Sequence, residues 1–265
     1  MYFDSLLHPT LDGSWINGKP GQTFTAVAEN IESLGLIGAC AVGLPGVGDY
    51  DHARFYEESK KFSSLYPVAA LTSTERIESE VEQIKSIGFS AIKVHPRLLG
   101  IEPRKEVLSQ IFKSAHQAKL SVFLCTYYHC RPGLMPIEDP YWHLVGAIDE
   151  NPETKILLLH GGGVRLLEYA ELCRFNKHLL LDLSFTSQKY LLSSVQYDIQ
   201  YLLKTFDRRI CFGSDGPEYS TSDSIDLLNS LTSGLQKEKI ENVSFRNIMS
   251  FLGIAPMPKP HIATF

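Results

Sequence analysis

A single carboxylate stands at the end of a short apolar stretch late in the chain. The residues from Arg209 to Phe212 run into Gly-Ser-Asp-Gly-Pro, which predicts a short buried strand that stops abruptly around Asp215. Because side chains alternate along a strand, Cys211, Gly213 and Asp215 would share its inner face. A carboxylate on such a face needs a cation, a proton or several hydrogen-bond donors. Two interpretations stay open here, a functional group and a turn-forming Asp that bonds nearby backbone N–H groups.

Three histidines also stand where predicted strands end. His8, His95 and His160 close the first, fourth and sixth predicted strands, as Asp215 closes the eighth. One histidine in such a place is more often a satisfied structural side chain than a ligand. Four nitrogen and carboxylate donors in equivalent positions, however, are typical of a site for a borderline metal ion such as Zn²⁺.

Short apolar segments alternate with amphipathic ones along the chain. The predicted strands span residues 2–7, 37–44, 68–71, 90–94, 121–125, 155–159, 179–183 and 209–213. The predicted helices span residues 22–34, 49–63, 74–88, 103–118, 139–151, 164–175, 191–205, 222–231 and 243–252. Eight such units of about 30 residues predict a (β/α)8 TIM barrel, with residues 1–265 in a single domain. The alternative, a doubly wound open sheet, normally has a Gly-rich phosphate loop after its first strand, and none is present here.

The barrel prediction gives the four strand ends a common location. In barrels of this kind the active site lies at the C-terminal mouth of the strands. We therefore expect His8, His95, His160 and Asp215 to converge at one mouth.

Composition and charge argue against several classes of function. The chain is 44% hydrophobic and 21% charged, an ordinary composition for a globular protein. Its formal net charge is −5 and the sequence has no basic block, so we expect no nucleic-acid partner. No apolar run approaches the roughly 18 residues of a membrane span, and the first residues do not resemble a signal peptide. Five scattered cysteines without a CxxC pair suit a reducing compartment, so we expect a cytoplasmic protein without membrane association.

Four segments carry a specific combination of motifs. They are Asp4 with His8, Ile92-Lys93-Val94-His95-Pro96, Leu159-His160-Gly161-Gly162, and Phe212-Gly213-Ser214-Asp215-Gly216-Pro217. Over nearly the whole chain, this combination resembles the amidohydrolase superfamily, in its family-2 branch of TIM-barrel hydrolases and decarboxylases. The resemblance implies one divalent metal ion, with Zn²⁺ the expected one, that activates a water molecule and polarises a carbonyl group. It also implies that Asp215 takes the proton of the water and that His160 stabilises or protonates the developing oxyanion.

Two positions depart from the ligand set that the resemblance implies. The family has a metal-binding His where this chain has Leu6, and another where it has Cys125. The expected metal ligands are therefore His8 and Asp215, joined by some of His95, Cys125 and His160. Cys125 could bind as a thiolate, but we favour its interpretation as a small buried hydrophobe. His129, four residues further on, is a further candidate, although a loop histidine is more often simply exposed.

Several cationic or aromatic residues near the strand ends are candidates for substrate binding. They are Lys93, Arg97, Tyr127, Arg131 and Arg165. The arginines make an anionic substrate plausible. Lys93 has two interpretations. By the resemblance it would be a carboxylated ligand that bridges two metal ions. We favour the other interpretation, in which its ammonium group pairs with Asp215 or with a carboxylate of the substrate.

The expected function is a metal-dependent hydrolase that cleaves an ester, lactone or amide bond of a small molecule. A metal-dependent non-oxidative decarboxylase is a close alternative, because it uses the same fold and a metal ion as Lewis acid. A third alternative is a barrel that has lost catalysis and binds a small ligand, for which Leu6 and Cys125 are the arguments. The sequence leaves open whether the chain forms a homo-oligomer.

Overall fold

Eight parallel strands form a nearly closed barrel in the computed structural model, which describes residues 1–130, 133 and 135–255. The strands are β1 (Phe3–Leu7), β2 (Gly38–Val42), β3 (Leu65–Ala70), β4 (Ala91–Val94), β5 (Ser121–Cys125), β6 (Ile156–Leu159), β7 (Leu179–Asp182) and β8 (Ile210–Cys211). Their order in the sheet is their order in the chain, and every neighbouring pair is parallel. The strands are almost wholly buried, as expected when helices cover one face and the barrel interior the other. The predicted TIM barrel is confirmed.

Amphipathic helices alternate with the strands. They are α1 (Phe24–Ser33), α2 (His52–Lys60), α3 (Ile77–Ile87), α4 (Pro96–Leu99), α5 (Lys105–Gln117), α6 (Pro140–Glu150), α7 (Leu166–Phe175), α8 (Thr186–Lys189), α9 (Ser194–Thr205), α10 (Thr221–Leu231), α11 (Lys237–Glu241) and α12 (Asn247–Leu252). In α5, for example, Leu108, Ile111, Phe112 and Ala115 recur at helical spacing and are all buried in the core. None of the helices described is long and apolar enough to cross a bilayer.

Apolar side chains fill the N-terminal end of the barrel interior. Ile248 and Met249 of α12 belong to the same buried cluster as Phe123 and Leu157 inside the barrel. A packed core of this kind leaves no room for a ligand. The polar side chains that strands direct inward are therefore available for chemistry only near the opposite, C-terminal mouth.

Backbone hydrogen bonds between β1 and the segment after β8 close the barrel. The strand β8 itself is shorter than predicted, but the amide of Asp215 donates to the carbonyl of Leu6 at 3.0 Å. The amide of His8 likewise donates to the carbonyl of Gly216 at 2.8 Å. These bonds place the backbones of His8 and Asp215 side by side, although 207 positions separate them in the sequence.

A buried carboxylate reinforces this closure. Asp4 accepts hydrogen bonds from the amides of Leu6 (3.0 Å) and Ser214 (2.9 Å) and from the Ser214 hydroxyl (2.5 Å). Burial of Asp4, only partly offset by these bonds, raises the pKa of its carboxyl from 3.8 to about 7. Asp4 therefore ties β1 to the segment that carries Asp215, and its charge state near neutrality matters for stability.

Asp4→Asn is expected to flatten the pH dependence of stability between about pH 4 and 7. The folded protein binds the Asp4 proton more tightly than the unfolded chain, so proton binding at Asp4 stabilises the fold. This contribution to the unfolding free energy is fully present below about pH 4 and is lost as the pH rises through 7. A raised pKa of this size corresponds to about 4 kcal/mol across the window. Asn mimics the protonated acid, since it keeps one acceptor oxygen and gains a donor for Ser214. Urea unfolding at several pH values measures the slope, with the exposed Asp226→Asn as control. Parallel slopes for Asp4→Asn and wild type would contradict the prediction.

The predicted helices begin within three residues of the observed ones, except the last. The helix after β6 begins at Leu166 rather than at residue 164, because Gly161, Gly162 and Gly163 all have positive φ and form a tight turn. The last helix, predicted over 243–252, begins earlier, with α11 and a π-helical turn before α12. The predicted single domain includes residues 256–265, which lie outside the described residues.

Candidate active site

The C-terminal mouth of the barrel holds a cavity of about 370 Å³. Its most buried walls carry His8, Lys93, His95, His160 and Asp215, from the ends of β1, β4, β6 and β8. The structure thus brings together the four strand-end residues that the sequence singled out, and it adds Lys93 between them.

The ring of His8 has a defined tautomer. Its Nδ1 lies 2.7 Å from the carbonyl oxygen of Val42, which can only accept, so Nδ1 carries the proton. Burial, with the nearby charge of Lys93, lowers the pKa of His8 to about 4. His8 is therefore neutral at pH 7, and its unprotonated Nε2 accepts a hydrogen bond from the ammonium of Lys93 at 3.1 Å. The same Nε2 lies 3.4 Å from Oδ1 of Asp215.

The carboxylate of Asp215 is held in its ionised form. Burial by itself would raise its pKa, but the charge of His160 and that of Lys93 outweigh burial and lower the pKa to about 2. The backbone of Asp215 is left-handed, with φ of 63°, a conformation that costs a non-glycine residue energy. Such strain is common at functional sites, where the surrounding structure fixes the direction of a side chain.

Ser184 holds the ring of His160 in place, and the neighbours of the ring favour its charged form. Its Nδ1 donates to the carbonyl oxygen of Ser184 (3.3 Å) and to the Ser184 hydroxyl (3.1 Å), and that hydroxyl donates in turn to buried Asp182. Burial would lower the pKa of His160, but the charge of Asp215 and the thiol of Cys125 outweigh it, and the pKa lies above its ordinary value. The imidazolium can therefore donate a hydrogen bond from Nε2 while Ser184 holds Nδ1.

Ser184→Ala is expected to lower the unfolding free energy by about 1–3 kcal/mol, because Asp182 loses a donor and His160 an acceptor in a buried place. It should also lower the pKa of His160, which loses a partner of its charged form. Denaturant unfolding and NMR titration of the ring measure the two effects. Ser187→Ala is the matched control, since its hydroxyl donates only to the carbonyl of Leu183. An unchanged His160 titration would show that the Ser184 hydroxyl does not stabilise the charged ring.

Cys125 lies between two histidines. Its thiol is buried at the end of β5, donates to the carbonyl oxygen of Tyr127 at 3.9 Å, and lies close enough to His95 and His160 for both to act on its pKa. Burial would raise the pKa of this thiol, but His95 and then His160 outweigh burial and hold the pKa well below its usual value. The amide of Leu98 donates to Nδ1 of His95 at 3.3 Å, which leaves Nε2 of that ring for Cys125. The burial agrees with a small hydrophobe, but the contacts are those of a polar group.

The donors in this cavity do not fit a metal ion held as the resemblance implies. Within residues 1–130, 133 and 135–255, no three or more His, Cys, Asp or Glu side chains are arranged to hold one. Leu6 is fully buried in the apolar cluster of the barrel interior. The Nε2 lone pair of His8, which would bind the metal, faces the Lys93 ammonium instead. The expected ligand set of His8, His95, Cys125, His160 and Asp215 is therefore gathered in one region without forming a metal site.

The predicted substrate-binding residues divide into three groups. Lys93, Arg97 and Tyr127 line the cavity, and the Arg97 guanidinium lies 5.3 Å from the centre of the Tyr127 ring. Arg165 lies apart from the cavity, where it pairs with Asp139 and Glu168. Its predicted role therefore has no support in the geometry. Arg131 lies outside the described residues.

Other residues that line the cavity carried no clear signal in the sequence. Trp15 stacks on His8 with ring centres 5.5 Å apart, and Phe185 follows β7 with a positive φ of 60°. Lys189 lies over the Phe185 ring at 5.7 Å, and Tyr219 packs against the same ring. The position of Phe185 just after a strand end was the one usable signal. The exposed His129 also lines the cavity, as its loop position allowed.

Comparison with known proteins places the chain in a family. The family model described as amidohydrolase matches residues 41–232, and no curated protein matches the chain. An uncharacterised TIM-barrel protein from Bordetella bronchiseptica superposes with a TM-score of 0.78 at 14% identity, over 96% of this chain and 98% of that one.

Two further solved structures share the fold. A probable 2-pyrone-4,6-dicarboxylic acid hydrolase from Acinetobacter baumannii has a TM-score of 0.70 at 14% identity, over 95% of this chain and 99% of that one. The 2,6-dihydroxybenzoate decarboxylase from Rhizobium has a TM-score of 0.65 at 12% identity, over 96% and 98%. At these identities the structures show the fold alone. The family model matches well over half of the chain, which shows that the chain belongs to the family-2 branch of the amidohydrolase superfamily.

Proposed function

We propose that the cavity hydrolyses an ester, lactone or amide bond of a small anionic molecule. The observation that carries this proposal is that Asp215, whose pKa is lowered, and His160, whose pKa is raised, line the buried end of the same cavity. A carboxylate can take a proton from water, and an imidazolium can stabilise a developing oxyanion. Asp215 is ionised above about pH 2, and the raised pKa of His160 favours its charged form.

Asp215 gains basicity when an anionic substrate binds. In the free cavity the charges of His160 and Lys93 make the carboxylate a weak base, with a pKa of about 2. A base works best when its pKa is nearer the working pH. A substrate carboxylate that pairs with Lys93 neutralises part of this positive charge, so the pKa of Asp215 rises in the complex. An uncharged analogue does not have this effect and is a poorer substrate.

The cavity walls favour a planar anion. Arg97 and Lys189, both exposed at the outer part, provide two further cations, each over an aromatic ring. Trp15 and Tyr127 provide flat apolar surface on the cavity walls. Cations hold a carboxylate, and aromatic faces hold a ring. Together these groups suit the binding of a lactone or an aromatic acid.

Non-oxidative decarboxylation is the second candidate. The observation in its favour is again the raised pKa of His160, since the charged ring can deliver a proton to the carbon atom that loses CO₂. The decarboxylase from Rhizobium shows that the fold supports this reaction. Neither scheme contains a step that depends on Zn²⁺, because the donors do not fit the metal site that the sequence led us to expect.

The test is a comparison of two reactions on the purified full chain. The first probe is 2-pyrone-4,6-dicarboxylic acid, with carboxylate-bearing aryl esters and their uncharged methyl ester analogues. The second is 2,6-dihydroxybenzoate. We expect ring opening or ester cleavage by absorbance, with the charged compounds favoured at least ~10-fold, the effect of one charge-assisted contact. CO₂ release without hydrolysis would identify a decarboxylase. Binding of the acids without either reaction would identify a barrel that has lost catalysis.

A further inference from the structure

The position that a metal ion would need in this cavity is taken by a side chain of the protein. Nζ of Lys93 lies 3.1 Å from Nε2 of His8, and the side chain is 1% exposed. The tautomer of His8 is set by Val42, whose carbonyl oxygen accepts from Nδ1 at 2.7 Å. Nε2 therefore has one lone pair to give, and an ammonium hydrogen already receives it.

Two opposing influences act on this buried ammonium group. Burial works against the charged form of Lys93, and the nearby charge of Asp215, whose Oδ1 is 3.4 Å from the same Nε2, favours it. Leu6, on the strand that carries His8, is fully buried among apolar side chains and offers no lone pair. A metal ion bound to Nε2 would have to displace a buried cation, and the two positive charges would repel each other in a medium of low dielectric.

We propose that the Lys93 ammonium is the resident cation of this cavity and that the protein works without a bound metal ion. In this arrangement Lys93 adds to the charge of His160 in keeping Asp215 ionised, and it faces the anionic group of the substrate. The inference goes beyond the proposed function, because it states what supplies the positive charge. It is tested without any substrate, so a failure of the hydrolysis assay would leave it intact.

The experiment measures metal binding by the full chain purified without chelators. Elemental analysis of the wild type is expected to find Zn, Mn, Fe and Co each well below one equivalent. Zn²⁺ titration, in competition with a chromophoric chelator at one pH, then compares Lys93→Met with the wild type. We expect Lys93→Met to bind Zn²⁺ at least ~10-fold more tightly, because the lone pair of His8 is released and a repelling charge is removed.

Lys189→Met is the matched control, since it removes a cation from the same cavity away from His8. Its affinity for Zn²⁺ should stay within about two-fold of the wild type, which corresponds to a binding free energy difference below about 0.5 kcal/mol. Circular dichroism checks the fold of each variant, and Lys93→Gln replaces Lys93→Met if the latter does not fold.

Two results would overturn the inference. Near-stoichiometric metal in the wild type, lost in His8→Gln or Cys125→Ser, would show that the cavity holds a metal ion after all. Equal Zn²⁺ affinity of the wild type and the Lys93 variants would show that the lysine does not occupy the place of the metal.

Discussion

Asp215→Asn is expected to lower the rate of hydrolysis by roughly 10²–10⁴-fold, the usual effect of losing a general base, while the protein still folds. The carboxylate is the ionised group next to His8 and His160, and an amide cannot take a proton from water. Asn has the same shape, and the backbone hydrogen bond from residue 215 to Leu6 is unaffected. The measurement is kcat/KM for the substrate found in the panel, with circular dichroism as the check of folding.

Glu218→Gln provides the matched control for this prediction. Glu218 is an exposed carboxylate that lines the same cavity, so its neutralisation changes the charge of the cavity without touching the pair of Asp215 and His160. We expect at most a few-fold change in rate. If Asp215→Asn instead unfolds the protein and the folded fraction keeps its specific activity, Asp215 is a structural residue.

Gly162→Ala is expected to lower the unfolding free energy by about 2–5 kcal/mol. Residue 162 has a φ of +75°, where an L-residue costs roughly 1–2 kcal/mol. An added Cβ would also lie 2.1 Å from a ring carbon of buried Tyr169, and overpacking of that kind costs a further ~1–3 kcal/mol. Chemical denaturation measures the loss.

Gly100→Ala separates the two contributions. Gly100 also has a left-handed backbone, with φ of +65°, but an added Cβ would meet nothing within 4 Å. Its substitution should therefore cost only the backbone part, about 1–2 kcal/mol. Similar losses for Gly100→Ala and Gly162→Ala would show that Tyr169 moves aside and that the turn after β6 is not closely packed.

The order of elements could be predicted because it depends on local patterns. Apolar segments of about five residues alternate with amphipathic ones of helical period, and a parallel barrel is the arrangement that buries both faces of eight such strands. The same patterns located the strand ends, and with them His8, His95, His160 and Asp215. Boundaries were less accurate where backbone conformation overrode the apolar pattern, as at Gly161–Gly163.

The contacts that long charged side chains make could not be predicted from these patterns. Arg97 and Arg165 both follow a predicted strand end, yet Arg97 lines the cavity and Arg165 pairs with Asp139 and Glu168. Strand periodicity sets the direction of a short side chain near the backbone, whereas the head group of an arginine goes to whichever partner the fold brings within reach.

The sequence by itself determined the barrel, the mouth at which its polar strand ends meet, and the two departures at Leu6 and Cys125. Only the tertiary structure decided the charge of each group there. The neutral form of His8, the ionised form of Asp215 and the raised pKa of His160 all depend on burial and on neighbours from other strands. The contact of Lys93 with His8 joins residues 85 positions apart, and such a contact exists only once the sheet has closed. A sequence motif specifies which groups are present, but their protonation and partners depend on distances that only the closed fold sets.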